Sequence, residues 1–121
     1  MKEYIVELLQ IADQLKVFHL QTTSYAEHKA LNKAYDSIAE LTDDFTETYM
    51  GKYGRFQIGD GDDIVLQNYS PALVRKYADE CVSLLGGLYD QLDPSTDADL
   101  QNIVADMLGT MNRLKYLLTL N

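Results

Sequence analysis

Apolar residues recur at steps of three and four over four stretches of the chain, and each stretch predicts an amphipathic helix. The first runs from about Lys2 to Thr22, with Ile5, Leu8, Leu9, Ala12, Leu15 and Phe18 as its buried stripe. The second runs from about Ser24 to Tyr49, with Leu31, Tyr35, Ile38, Thr42, Phe45 and Tyr49. Ser24 reads as its N-cap and Glu27 completes a capping box. Gly51 and Gly54 are expected to end it.

The third stretch opens at Ser70-Pro71, an N-cap followed by proline at the first helical position. It continues through Leu73, Val74, Tyr77, Cys81, Leu84, Leu85 and Leu88. Gly86-Gly87 near its end is a weak point or a place of close helix approach. "DPST" then breaks the chain, and Ser95 or Thr96 is the expected cap of the fourth helix. Leu100, Ile103, Val104, Met107, Leu108, Met111, Leu114 and Leu118 line that helix.

The breaks after helices one and three are short, so each pair forms an antiparallel hairpin. Residues 51–69 are too many for an ordinary turn. Helices two and three are therefore expected to lie parallel, or diagonal, in the bundle. A short cross-over helix is expected near Ile64–Leu66. The layout predicts an all-α fold, a ferritin-like four-helix bundle with one long connection between helices two and three. A chain of 121 residues fits one domain, 1–121.

Charge narrows the partners. The formal net charge is −9, and the ten basic residues are scattered, with no run longer than Arg75-Lys76. Nucleic acid and anionic membranes are therefore not expected. No window approaches a membrane span, and no signal peptide is visible at "MKEYIVELLQ". A single cysteine, Cys81, excludes an intrachain disulfide and fits a cytoplasmic location. Its place on an apolar stripe reads as a buried thiol. "GDGDD", through Asp60, Asp62 and Asp63, lacks the periodicity of a calcium loop and reads as a turn.

Helix two also carries Asp36, Glu40, Asp43 and Glu47, which fall within roughly 60° of one another on its outer face. Stacked like charges destabilise a helix by a few tenths of a kcal/mol per pair. Such a ladder is a solvated face, or it is neutralised by a cation or a partner. Both histidines of the chain, His19 and His28, lie at the junction of helices one and two. Each read alone is a core-edge or solvated residue. Read together with carboxylates, imidazoles provide the mixed N/O donor set that suits iron.

From the histidines through the ladder, this part of the chain resembles the Dps-type mini-ferritins. That family has a His late in the first helix and a second His early in helix two. An Asp follows four residues later, and an Asp-x-x-x-Glu pair begins fifteen residues after the second His. Here His28 and Asp43 are fifteen apart and Glu47 follows in place, while Asn32 stands where the family has its first Asp. The resemblance implies an iron site of His19, His28, Asn32, Asp43 and Glu47, shared across a two-fold subunit interface. It also implies ferroxidase and iron-sequestering activity in a homodimer or a twelve-subunit shell. No basic tail like the one with which some members bind DNA is read ahead of helix one, where only Lys2 is basic, so DNA compaction is not expected. The other expectation is a non-catalytic ferritin-like bundle, structural or adaptor in role and encoded by a phage.

Overall fold

The computed structural model describes residues 1–120 and contains four helices. They are α1 (Lys2–Gln21), α2 (Tyr25–Tyr53), α3 (Pro71–Gln91) and α4 (Ala98–Leu117). α1 packs broadly on α2, α2 on α4, and α4 on α3, while α1 and α3 touch only lightly. The helices thus stand in the ring order α1, α2, α4, α3, with α2 and α3 on a diagonal.

Contacts between ends fix the directions. Lys52, at the end of α2, pairs with Asp99 at the start of α4 at 2.8 Å. Phe18, late in α1, meets Tyr77, early in α3, edge to face at 5.8 Å. α2 and α3 therefore run parallel, and both run antiparallel to α1 and α4. The core is filled by Phe18, Phe45, Leu8, Leu31, Ile38, Leu85, Leu88, Met107 and Met111, all fully buried. Ser24 and Ser70 cap α2 and α3 by accepting the N–H groups of Glu27 and Leu73.

Several local expectations are corrected. α2 passes through Gly51 and ends only at Gly54, whose positive φ of 90° glycine tolerates best. The capping box is half formed, because the Glu27 side chain turns away from Ser24 to accept from Thr22 and from the hydroxyl of Tyr69. α4 starts after Asp97, not after Ser95 or Thr96, since Ser95 is held in the preceding turn by Asp93. On α1, Leu9 is 39% exposed, whereas Ile11 and Gln14 are buried.

The misplaced face of α1 follows from the long connection. Residues 54–70 form no cross-over helix; beyond the turn at Gly59–Asp62 the chain runs along α1 as an extended strap. The strap covers Gln14, which a two-dimensional helical pattern reads as polar surface. Ile64, Val65 and Leu66 lie exposed on it. Asp62 closes the turn by accepting the Gly59 N–H at 2.7 Å and pairs with Lys2 at 3.0 Å.

Candidate functional site

His19 ends the buried face of α1 and His28 sits in the second turn of α2, so the short hairpin turn sets them side by side. The Nδ1 of His19 lies 2.8 Å from the carbonyl oxygen of His28. The Nδ1 of His28 lies 2.9 Å from the carbonyl oxygen of His19. A carbonyl only accepts, so each Nδ1 carries the hydrogen and donates. The two residues clasp each other's backbone. The clasp also satisfies a carbonyl in the last turn of α1, which has no partner within its own helix.

The rings stack at 3.8 Å between centroids, with 21° between planes. Tyr25 stacks beyond His28 at 6.3 Å, and Tyr35 lies beyond His19 at 5.2 Å. Lys29 covers Tyr25 at 5.5 Å and Lys16 covers Tyr35 at 5.8 Å. The result is a four-ring column closed at both ends by ammonium groups. Beneath it Glu27, buried, accepts from Thr22 Oγ1 at 2.8 Å and from Tyr69. Burial first, then the hydrogen bond to Glu27, raises the Tyr69 hydroxyl above its ordinary value.

The remaining predicted residues lie elsewhere. Asn32 is half-buried one turn beyond His28. Asp43 and Glu47 are exposed, with Asp36 and Glu40, on the outer face of α2. Fifteen residues of helix put Asp43 about 22 Å from His28 along the axis. Within one chain the histidines meet each other and do not meet the carboxylates.

Two features bear on whether iron fits this set. The two ring planes are stacked and only 21° apart, so the Nε2 lone pairs, which lie in those planes, do not converge on one ion at a bonding distance of about 2.1 Å. Two ammonium groups flank the stack, and no free carboxylate adjoins it. Among the described residues, no three His, Cys, Asp or Glu side chains are placed to hold a metal ion. The donors of one chain do not fit a shared ion.

A second grouping was not legible in sequence. At the opposite end, Asp97 accepts from the Tyr53 hydroxyl and from the Asp93 N–H, and lies 3.5 Å from Lys52. Asp97 is buried and joins the ends of α2 and α4. The two chain segments are forty-four residues apart, a separation at which spacing carries no signal. No described helix is long and apolar enough to cross a membrane.

Comparison with known proteins gives a family without an assigned role. The chain is 28% identical over 118 residues to an uncharacterized 14.6 kDa protein of Enterobacteria phage T4, from the mobD-ri intergenic region. The match covers 98% of this chain and 87% of the phage protein. No solved structure matches it significantly. Residues 19–118 match DUF5856, a family of unknown function, and the chain belongs to that family.

Proposed function

We propose that this chain is a non-catalytic helical bundle that works by contact with other proteins, as a structural or adaptor module. The observation that carries this reading is the histidine clasp. Both imidazoles of the chain are engaged in joining α1 to α2, in a stack whose nearly parallel rings do not aim their lone pairs at one ion. The unpaired ladder Asp36, Glu40, Asp43 and Glu47 gives the module an anionic face. Likeness to a phage protein over nearly the whole chain supports a phage setting. A single cysteine in a buried place fits the reducing cytoplasm.

The test is thermal unfolding of the wild type, His19→Ala and His28→Ala, each with and without ferrous iron, zinc or manganese. The module reading expects both variants to melt earlier and no metal to raise any midpoint. A metal that raises the wild-type midpoint, and does so less in the histidine variants, overturns it.

One observation favours a second reading, the Dps-like, iron-sequestering one. With each Nδ1 donating to a carbonyl, the lone pair of a neutral imidazole is on Nε2, the arrangement common in metal-ligating histidines. In that reading His19 and His28 of one subunit would face Asp43 and Glu47 of another, with Asn32 nearby, in a homodimer or larger shell. Aerobic addition of ferrous iron tests it. Ferric absorbance should form faster with wild type than with His28→Ala/Glu47→Ala, and equal rates dismiss it.

A further inference from the structure

Between Asp62 and Tyr69 the strap is fastened to α1 by three glutamines. Gln10 Oε1 accepts the Val65 N–H at 3.1 Å. Gln14 accepts the Gln67 N–H at 2.7 Å and donates to the Gln67 carbonyl at 2.9 Å. Gln21 Oε1 accepts the Tyr69 N–H at 2.7 Å. The fastened residues are 65, 67 and 69, a period of two, which is the period of an extended chain.

Reach requires the same conformation. The strap leaves Lys2 and arrives at Gln21, about 28 Å along the helix. Seven peptide steps span at most about 25 Å, so the chain is nearly straight and the long Lys2 and Gln21 side chains close the difference.

In an extended chain the N–H and C=O of one residue point to the same side, and alternate residues point to opposite sides. Ile64, Leu66 and Asn68 therefore turn their backbone groups away from α1. Among the described residues none of these groups has a partner. The side chains above this free edge are apolar and in the open: Ile64 is 40% exposed, Val65 65% and Leu66 46%. A bare apolar edge of this kind is a template for another strand.

The charge of the bundle is polarised along the same direction. The half holding the His clasp (residues 12–39, 66–81 and 108–120) has seven of the ten cations and five of the nineteen carboxylates, for a charge of +2. The other half has three cations and fourteen carboxylates, for a charge of −11. The strap runs from the anionic half to the cationic half.

We propose that the free edge of the strap is the docking site for a second copy of this chain, strap against strap and antiparallel, about a two-fold axis at Leu66. Only antiparallel pairing sets the anionic half of each copy beside the cationic half of the other, so charge selects the orientation. Centring on Leu66 uses every free group, because Leu66 faces Leu66 and Ile64 faces Asn68. It also places Asp62 opposite Ser70, at the start of the partner's α3, where unpaired N–H groups carry partial positive charge. The contact is isologous and closes on itself. It is separate from the α2 face invoked for an interfacial metal, and the Leu66 variants test it without altering any residue of either reading of function.

Sedimentation of the wild type and Leu66→Pro tests the pairing. Proline at 66 removes an outward N–H and leaves the inward bonds of Val65, Gln67 and Tyr69 intact. The expected result is a wild-type particle of twice 13.7 kDa and a Leu66→Pro monomer with the same helical circular dichroism. Leu66→Lys, at an exposed position, should also be a monomer, because two ammonium groups would meet on the axis. Oxidation should crosslink Leu66→Cys into a dimer and leave Tyr116→Cys, on an exposed position of α4, uncrosslinked. Native Cys81 does not compete, since burial pushes its thiol up to about 12. A wild-type monomer at every concentration overturns the proposal. So does undiminished dimer in both Leu66 variants, or equal crosslinking at 66 and 116.

Discussion

His19 and His28 each donate a ring N–H to the other's backbone carbonyl, and their rings lie 3.8 Å apart. Removing either side chain breaks the stack and one of the two hydrogen bonds, since the carbonyl of the substituted residue remains. His28→Ala exposes the His19 carbonyl without a donor, unstacks one ring and opens the column to Tyr25 and Tyr35. Each lost hydrogen bond is worth about 0.5–1.5 kcal/mol, and a half-buried acceptor left alone adds to that. Either single variant should lose about 1–3 kcal/mol in urea unfolding. The double variant should lose less than the sum, because the two residues act on one another. Additive losses would show that the clasp is not a unit.

The same logic applies to Gln14, with a clearer structural readout. Its side chain is buried, and its amide makes both bonds to Gln67 that a neighbouring strand would make. Gln14→Ala should cost about 1 kcal/mol by removing two part-buried hydrogen bonds to the Gln67 backbone. Amide exchange at Gln67 should accelerate well beyond that in α2, because the strap loosens before the bundle does. Uniform acceleration across all four helices would mean that the strap and bundle open together.

What the sequence made legible follows from where the interactions lie. The stripes of α2, α3 and α4 came out because each packs a repeating apolar face on a neighbour. Ser70-Pro71 was readable because a cap is a local bond. Leu9 was placed on the buried stripe and the burial of Gln14 left no signal, because the strap, not another helix, covers the Gln14 side of α1, and an extended chain leaves no 3.6-residue mark. Tyr53, Lys52 and Asp97 meet across the bundle end and have no signature in spacing. The histidines were singled out together as iron ligands, whereas the reciprocal backbone bond that joins them leaves no mark in the sequence.

Thr42 offers a stabilising substitution. It is 2% exposed within the α2 core face, and its hydroxyl has no hydrogen-bond partner. An unpaired buried hydroxyl loses its water and gains nothing in return. Valine has nearly the same shape and no such penalty, so Thr42→Val should raise stability by about 1 kcal/mol. Thermal and urea midpoints should both move up. A drop in either would indicate that the hydroxyl finds a partner in solution.

The last prediction concerns acid. The Tyr53 hydroxyl, then the Asp93 N–H and Lys52, hold the Asp97 carboxyl below its ordinary range against the opposing effect of burial. Lys52 similarly holds Asp99 down. At the turn, the Gly59 N–H and then Lys2 lower Asp62. For a carboxylate whose folded value is depressed, the stabilisation is complete above the unfolded value, near 4. It is lost as pH falls from there through the folded value, because the unfolded chain then binds more protons. The protein should therefore hold its stability down to about pH 5 and lose it steeply below about pH 4. Asp97→Asn keeps the shape and removes the charge. It should lower stability at pH 7 and flatten the acid limb, with the two proteins converging at low pH. An Asp97→Asn profile parallel to wild type at every pH would show that the carboxylate contributes no proton-linked stability.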